Sequence, residues 1–253
     1  MGALTIHPLP GVPLVAPGDD LAAMVLDAIA ASGLSCTDGD VIVLAQKIVS
    51  KAEGRLVRLD TVIPSPRARD LAQQCRKDPR LVELILSEST EVMRVRPGVL
   101  IVRHRLGLVL ANAGIDQSNI DHGQGEAALL LPQNPDASAA ALQTRIAALT
   151  GTKPAVVIID SLGRAWRMGT CGIAIGVAGL PALLDLRGRA DIHGRALQTS
   201  ELGLADEVAA AASLVMGQAG EAIPAVLMRG LAARGTPGNA ADLVRPPALD
   251  LFP

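Results

Sequence analysis

Hydrophobic residues recur at helical spacing in several parts of the chain, and most of these stretches begin with a residue that favours helix initiation. A helix capped by Asp19 or Asp20 is predicted to run to about Ala31, with its apolar positions on one face. A further helix is predicted over 67–75, and Asp78-Pro79 starts the next, since proline suits the first helical position. Two alanine-rich stretches predict helices over 138–149, capped by Ser138, and over 200–216, starting at Ser200.

Short continuous apolar runs between these stretches are typical of buried strands. The runs at 40–45 and 155–159 are rich in β-branched residues and predict buried strands, and the run at 225–228 predicts a last strand. The runs at 99–104 and 108–112 flank a glycine-containing turn and predict a hairpin. Because helices and strands alternate but hairpins also occur, the predicted class is α+β, or mixed α/β, rather than a clean doubly wound sheet.

Amino-acid composition and net charge exclude several classes of protein. The chain has 253 residues, and its 49% of hydrophobic residues suffices for one large domain or two small lobes, which excludes a mainly disordered protein. Aromatic residues make up 1%, so the stacking platforms that bind single-stranded nucleic acid are lacking. A net charge of −2 gives no broad attraction to nucleic acid or to an anionic membrane, and any phosphate recognition has to be local.

Cysteine usage and the absence of targeting signals predict a cytoplasmic protein. The three cysteines are widely spaced, which favours reduced thiols over a disulfide framework. The sequence starts without the basic and apolar regions of a signal peptide, and no apolar run reaches the roughly 20 residues that span a bilayer.

The first candidate site follows the predicted hairpin, in the polar stretch 112–119. Its carboxylate, Asp116, is accompanied by two asparagines and a hydroxyl, a set that can bind a hard cation and orient phosphate oxygens. The same residue types also build an Asx-turn, in which Asn and Asp side chains satisfy local backbone donors. On spacing alone, the Asx-turn is the favoured interpretation.

The second candidate site begins at Asp160, directly after the apolar run 155–159. Ligands of open α/β sheets gather at strand ends of this kind. The hydroxyl of Ser161 and the guanidinium groups of Arg164 and Arg167 add a metal ligand and phosphate-binding forks. A capped turn with a structural ion pair is the alternative, and the combination of residues favours a functional role over it.

Two further polar stretches are ambiguous. The segment 46–55 places two lysines after a strand, where they could meet the charges of a triphosphate, although composition alone favours an exposed basic loop. The segment 185–195 alternates acids and bases with glycines and fits an anion site and a salt-bridged surface loop equally well. No P-loop motif occurs, and Gly123-Gln-Gly125 follows a polar loop rather than a strand, which excludes a dinucleotide fingerprint.

Taken together and in order, these stretches resemble the coenzyme F-420:L-glutamate ligase family, also called F-420 gamma-glutamyl ligases, in its standalone form. The resemblance covers roughly residues 8–231 and overturns the preference for a plain Asx-turn in the first motif. The matching strings are AQKIVSKAEGR (45–55), KDPRLVELILSES (77–89), ANAGIDQSNI (111–120), DSLGRAWRMGTCGIAIGVAGL (160–180), DLRGRADIHGR (185–195) and ADEVAAAASLVMGQAGEAIPAVLMRG (205–230).

The resemblance implies a GTP-dependent amide ligase that adds L-glutamate to the lactyl carboxylate of a deazaflavin coenzyme precursor and then extends a gamma-linked tail. It implies Mg or Mn, in some cases assisted by potassium, and a two-lobed fold that forms an intertwined homodimer. The ligase domain would span residues 1–231, followed by a C-terminal tail or arm at 232–253.

The resemblance also assigns roles to individual residues. Asp116, Asp160 and Arg164 are expected to be catalytic, and Asp116, Asp160, Ser161 and Gln218 to hold metal ions. Gln46 stands where a small hydroxyl residue is common in the family. The residues expected to contact nucleotide are Leu9, Pro10, Gly11, Val12, Gln46, Lys47, Lys51, Asn119, Met216, Gly217, Gln218, Ala219, Gly220, Glu221, Ala222 and Ile223.

Two other functions fit the same residue types. A metal-dependent phosphatase or kinase acting on another small molecule would also need aspartates, a metal and arginines. A non-catalytic homologue would bind GTP without releasing phosphate. The retention of the polar motifs as a set favours the ligase over both.

Overall fold

The structure is a computed structural model that describes residues 3–120, 122–123, 125–232 and 235–250. The helices, in chain order, are α1 (Leu21–Ala31), α2 (Gln46–Ala52), α3 (Pro66–Cys75), α4 (Pro79–Ser87), α5 (Pro135–Thr150) and α6 (Leu204–Met216). The strands are β1 (Thr5–Pro8), β2 (Val41–Ala45), β3 (Leu56–Arg58), β4 (Ser89–Arg96), β5 (Val99–His104), β6 (Val109–Ala111), β7 (Ala127–Leu129), β8 (Ala155–Arg164), β9 (Arg167–Ala178), β10 (Leu184–Asp185), β11 (Glu201–Leu202) and β12 (Ala225–Arg229).

A five-stranded sheet forms the centre of the molecule, in the order β1-β12-β2-β8-β9. Strands β2 and β8 run parallel, and the other neighbours in this sheet are antiparallel. The last strand, β12, lies between the first two. The predicted mixed α/β class is confirmed.

Helices cover both faces of this sheet, which explains the continuous apolar runs in the sequence. On one face, Ile42, Leu44 and Ile158 pack with residues of α1 and α5. On the other face, Val43 and Val157 pack with α6 in a second cluster. Because alternate residues of a strand point to opposite faces, each buried strand has to be apolar at every position.

A third apolar cluster lies away from the central sheet. Strands β4, β5 and β6 form an antiparallel sheet, with the predicted hairpin as its β5–β6 half. Helices α3 and α4 contribute to the same cluster, which includes Ala68 and Ala72 of α3, Ile85 of α4, and Leu100 and Val102 of β5. Strands β3 and β7 pair with one another.

Two predicted helix starts are wrong. Helix α5 begins at Pro135 rather than Ser138, because Asn134 is the N-cap residue and its side chain accepts a hydrogen bond from the Ala137 amide. Helix α6 begins at Leu204 rather than Ser200, since Glu201–Leu202 pairs with Leu184–Asp185 as a short ribbon.

Strand β8 is longer than predicted, so Asp160 does not end it. Beyond Ile159, which is the last residue paired with β2, the strand continues with β9 as a two-stranded extension. We call this extension, residues 160–173, the ribbon. Its backbone pairs run from Asp160 opposite Ile173 to Arg164 opposite Arg167.

The described part of the C-terminal segment, 235–250, packs against the body of the protein. The Gly238 amide donates to the Leu180 carbonyl, and the Ala240 amide donates to the Asp136 carboxylate at the start of α5. Within the described residues, no helix is both long enough and apolar enough to span a membrane.

Gly172 allows α6 to approach β9 closely. A Cβ atom at this position would lie 2.5 Å from the Ala209 carbonyl oxygen, so we expect Gly172→Ala to destabilise the protein by about 1–3 kcal/mol. The matched control is Gly163→Ala in the same ribbon, where nothing lies within 4 Å of the added atom. Its effect should stay within about 0.5 kcal/mol. Urea denaturation followed by circular dichroism measures both, and equal free energies of unfolding for the two variants would contradict the packing argument.

Candidate active site

A cavity of about 560 Å³ lies at the sheet edge where β2 and β8 end their parallel pairing. Its size is typical of small-molecule sites, and its position agrees with the rule that ligands bind at the carboxyl ends of parallel strands. Five segments line it: the chain before α1, the end of β2 with the first turns of α2, the loop after β6, the middle of β8, and the end of α6 with the segment that joins it to β12. Their cavity-lining residues fall within 12–15, 45–51, 116–119, 159–161 and 213–224.

Asp116 is held by its own loop. Its Oδ1 accepts hydrogen bonds from the Ser118 amide at 2.8 Å and from the Ser118 hydroxyl at 2.7 Å. This is the Asx-turn that the sequence suggested. The second carboxylate oxygen, Oδ2, lies 2.6 Å from Lys47 Nζ inside the cavity. The turn and the candidate site therefore use different oxygens of one carboxylate, and the two interpretations are compatible.

Two lysines one helical turn apart on α2 face this loop. Lys47 Nζ also donates to the Ser118 hydroxyl at 2.9 Å, and Lys51 Nζ donates to the Asn119 carbonyl at 2.9 Å. Burial, and then the charge of Lys47, lowers the pKa of Lys51. The helix thus brings two cationic groups to one wall of the cavity.

Asp160 and Ser161 approach the cavity as neighbours on the ribbon. Asp160 Oδ1 accepts a hydrogen bond from the Ser161 amide at 2.8 Å, and the Ser161 hydroxyl donates to Gln218 Oε1 at 2.8 Å. Successive residues of a strand point to opposite sides, so one strand contributes to both sides of the site.

The two aspartates differ in their protonation. Burial raises the pKa of Asp160 to about 6, and the negative charge of Asp116 adds to this rise. Burial also raises the pKa of Asp116, but hydrogen bonds from Lys47 and Ser118 outweigh it and leave that pKa below its usual value. The two carboxylates are therefore close enough to influence each other. Lys47 forms a direct ion pair with Asp116, whereas its charge only partly offsets the rise at Asp160.

The segment after α6 closes the opposite wall. Helix α6 ends at Met216, and Gly217 (φ 73°) turns the chain away. The Ala219 amide donates to Glu221 Oε2 at 2.7 Å, and Asn119 Nδ2 donates to the Ala219 carbonyl at 3.4 Å. The loop after β6 and the segment after α6, which are far apart in sequence, meet here.

Gln46 is the first residue of α2 and is only 2% exposed, at the boundary between core and cavity. Its Oε1 accepts a hydrogen bond from the Ser50 hydroxyl at 2.9 Å, whereas its Nε2 has no partner among the described residues. Leaving a buried amide donor unpaired costs about 1–3 kcal/mol, which favours a ligand acceptor at this place.

The structure brings most of the predicted site residues to this cavity, but not all of them. Leu9 is fully buried in the first apolar cluster, while Pro10 and Gly11 are exposed and do not line the cavity. Arg164 is exposed on the ribbon, also outside the lining. Their expected contacts with nucleotide or reacting groups remain predictions.

Residues 13–15 and Ser213 also line the cavity, and the sequence did not predict either. Neither carries a chemical signal, because 13–15 is apolar and Ser213 lies within a helix. The polar segment 185–195 does not line the cavity. There Arg187 pairs with Asp185 at 2.6 Å and with Glu201 at 3.3 Å, as a surface ion-pair cluster would.

The donor set suits a hard divalent cation. Two carboxylates, a hydroxyl and an amide oxygen, from Asp116, Asp160, Ser161 and Gln218, line one cavity. Within the described part of the chain, no three His, Cys, Asp or Glu side chains cluster as a complete protein cage. Mg²⁺ is commonly bound in this way, by one or two carboxylates with the remaining ligands from phosphate and water. The residues therefore fit Mg or Mn.

Comparison with known proteins identifies the family of the chain. Residues 11–230 match the family model described as F420-0:Gamma-glutamyl ligase. Proteins named coenzyme F420:L-glutamate ligase are similar over nearly the whole chain. The one from Methanothermobacter thermautotrophicus is 47% identical over 96% of both chains, and the one from Methanopyrus kandleri is 44% identical over 98% of this chain and 97% of its own. That of Archaeoglobus fulgidus is 43% identical over 91% and 89%. The chain belongs to the F420-0:gamma-glutamyl ligase family.

Proposed function

We propose that this protein is a GTP-dependent ligase that joins L-glutamate to the terminal carboxylate of the deazaflavin coenzyme F420-0 and extends the gamma-linked glutamyl tail. GDP and phosphate would be the other products. The observation that carries this proposal is the convergence of Asp116, Asp160, Lys47 and Lys51 on one cavity. Family membership supports the transfer of glutamate to F420-0, and the positive charges of the cavity support the binding of GTP.

The reaction requires activation of a carboxylate, because oxide cannot leave from it. Transfer of the γ-phosphoryl group of GTP to a carboxylate oxygen gives an acyl phosphate and GDP. The amine of glutamate then attacks the carbonyl carbon, phosphate leaves with the electron pair of the broken C–O bond, and the amine loses a proton. This sequence brings the anionic carboxylate against an anionic triphosphate, so the site has to supply positive charge.

The cavity residues can supply that charge. Lys47 and Lys51 lie one turn apart and would pair with phosphate oxygens, while the unpaired Gln46 amide and Asn119 would donate to other nucleotide acceptors. Asp116, Asp160, Ser161 and Gln218 would hold Mg or Mn, with potassium as a possible further ion. Such ions would supply positive charge that offsets the negative charge of the phosphoryl group during its transfer.

We also propose that the chain forms a homodimer of two-lobed subunits. The central sheet with its helices would be one lobe, and the third apolar cluster the core of the other. Two large apolar side chains, Ile192 (95% exposed) and Leu214 (84% exposed), would be available for burial between subunits. Whether the subunits intertwine, as the resemblance implies, is tested by sedimentation and a structure of the assembly.

The assay combines the protein with GTP, Mn, L-glutamate and F420-0, and mass spectrometry follows the added glutamyl units. We expect products heavier by one or more glutamates, with GDP formed only when both F420-0 and glutamate are present. GDP release without either substrate would instead indicate a phosphatase, and GTP binding without turnover would indicate a non-catalytic homologue. Omitting one substrate at a time provides the controls.

A further inference from the structure

A hairpin arm, residues 184–202, stands out from the body of the protein. Strands β10 and β11 pair at its base, and further along the arm the Gly188 amide donates to the Leu197 carbonyl and the Asp191 amide to the Arg195 carbonyl. Every residue from 187 to 196 is exposed. Among the described residues, the hydrogen bonds and ion pairs of 185–201 all lie within the arm. This arm contains the polar stretch 185–195, whose role the cavity does not explain.

The arm has the properties of a segment that packs against something else. A two-stranded hairpin is only marginally stable in water unless a further strand or helix packs against it. Ile192 at the tip is 95% exposed, although a large apolar side chain stabilises a protein only when it is buried. The ion pairs of the arm all involve Arg187, so the exposed Arg189 and Arg195 have none among the described residues. An apolar tip and two unpaired cations point to a surface outside the arm.

That surface is not the cavity of the same chain. The arm joins the body beside the start of α6, whereas Met216 at the other end of α6 lines the cavity. The 13 residues of α6 span about 20 Å at 1.5 Å per residue. None of the arm residues, all of which the structure describes, lines the cavity. The surface that receives the arm therefore belongs to a second molecule.

The cavity, in turn, lacks positive charge for part of the proposed reaction. Its described charged residues are two lysines and three acidic residues, namely Lys47, Lys51, Asp116, Asp160 and Glu221. The reaction brings a triphosphate and three carboxylates to this place, two of them from glutamate and one from F420-0. Both lysines are assigned to the triphosphate, so the carboxylates have no basic side chain in this lining. Arginine would suit them, because its guanidinium group binds carboxylates through paired hydrogen bonds.

The mouth of the cavity also matches the tip of the arm. Its rim, residues 12–15, is apolar, and Leu14 is 94% exposed. Ile192 of a second copy would cover this rim, and Arg189 and Arg195, which flank Ile192 in sequence, would face the acidic side chains inside. One chain thus carries both complementary surfaces, and a twofold axis between two copies would bring each arm to the other cavity.

We propose that two copies of the chain exchange arms, and that Arg189 and Arg195 of each copy bind substrate carboxylates in the cavity of the other. The inference rests on the proposed function, because that function supplies the carboxylates. It makes dimerisation a condition of activity, since each cavity is completed by the partner subunit. The exchange of arms, unlike the binding of carboxylates, does not depend on which reaction the cavity catalyses.

Thiol cross-linking tests the exchange of arms without any substrate. Ile192→Cys and Leu14→Cys are combined in one chain, and a short bismaleimide is added to the purified protein. We expect denaturing electrophoresis to show a band of twice the chain mass, stronger than the background that each single variant gives through the native cysteines. In the matched control, Ile63→Cys replaces Leu14→Cys, because Ile63 is 86% exposed and does not line the cavity. Equal bands in both pairs, or a monomeric protein in sedimentation, would overturn the inference.

The ligase assay tests the role of the two arginines. Arg189→Ala/Arg195→Ala should raise the KM for glutamate or for F420-0 about tenfold or more, since charge-assisted hydrogen bonds are lost. Its KM for GTP should change less than about twofold. Arg67→Ala/Arg69→Ala, which removes two exposed arginines of α3, is the matched control and should match the unmodified protein. Full activity of the arm variant would overturn the assignment.

A mixed dimer shows which chain uses the arm. The arm variant is combined with Asp160→Asn, whose cavity lacks a carboxylate, and the heterodimer is isolated through two different affinity tags. With exchanged arms, one intact cavity receives one intact arm, so about half of the unmodified activity should return. Activity no higher than that of the arm variant would overturn the inference. Cross-linked dimers without ligation by the unmodified protein would count against the proposed function and support the exchange of arms.

Discussion

Asp160→Asn should reduce glutamate ligation by at least about 10³-fold while the protein remains folded. Asp160 lines the cavity beside Asp116, burial raises its pKa to about 6, and it lies on the strand that also presents Ser161. Removing its charge would weaken metal binding and leave phosphate repulsion uncompensated, an effect worth several kcal/mol in phosphoryl transfer. Product formation by mass spectrometry measures the loss, and circular dichroism checks the fold. Near-normal turnover at ordinary metal concentrations would contradict the assigned role.

The same substitution should stabilise the metal-free protein. Because the pKa of Asp160 is raised to about 6 from an ordinary 3.8, the folded protein holds a proton that the unfolded chain has released between these pH values. The stability contribution of this group therefore falls as pH rises from 4 to 6, and the full penalty applies at pH 7. We expect Asp160→Asn to raise the free energy of unfolding at pH 7 by about 1–3 kcal/mol.

The pH dependence provides the control for that expectation. At pH 4 the advantage of Asp160→Asn should largely disappear, because Asp160 is then protonated in the folded protein. Asp27→Asn serves as the matched variant, since Asp27 is an exposed carboxylate on α1. It should show no such gain. Urea denaturation in the presence of a chelator, at both pH values, measures this, and a loss of stability in Asp160→Asn at pH 7 would show that the carboxylate is structural.

Lys47→Met should separate nucleotide binding from metal binding. Lys47 Nζ lies 2.6 Å from Asp116 Oδ2, so without phosphates its ammonium group competes with any other cation for that oxygen. We expect the variant to bind Mn at least about tenfold more tightly in the absence of GTP, since the half-buried Asp116 carboxylate loses its ammonium partner and is free to bind another cation. Its KM for GTP should rise about 10²-fold, because a phosphate-binding charge is lost. Electron paramagnetic resonance of free Mn measures the first effect.

Lys51→Met is the matched control for this experiment. Lys51 lies one helical turn away and donates to the Asn119 carbonyl, not to a carboxylate. Its removal should also weaken GTP binding but should tighten Mn binding much less. If both variants bound Mn more tightly by the same factor, only the total charge of the cavity would matter. That result would contradict direct competition between Lys47 and a metal ion for Asp116.

The sequence predicted three strands of the central sheet, β2, β12 and the first half of β8, because each is apolar at every position there, a pattern that follows from burial on both faces. It did not predict β1 or β9, which carry polar or exposed positions. It predicted α1 and α4 from their aspartate caps. It failed at α5, where both Asn134 and Ser138 are acceptable caps. Ser138 lies inside the helix instead, and its hydroxyl donates hydrogen bonds to the Asn134 carbonyl oxygen and to the Glu53 carboxylate.

For the candidate site too, the sequence predicted some features and not others. Local chemistry marked Asp116 and Asp160, but no pattern in the sequence indicates that strand β8 continues past Asp160, since glycine and arginine are poor strand formers. The continuation depends on pairing with β9, a tertiary contact. The bonds from Lys47 to Asp116 and from Asn119 to Ala219 join residues about 70 and 100 positions apart, which spacing within one motif cannot reveal.

The place of β12 between β1 and β2 has a consequence for biosynthesis. Strand β1 has no hydrogen-bonded neighbour in this sheet until residues 225–229 have been made. Until then both β1 and β2 expose unpaired edges, which are prone to association with other chains. A nascent or truncated chain that stops before Ala225 would thus lack the cavity and be a target for chaperones or proteases.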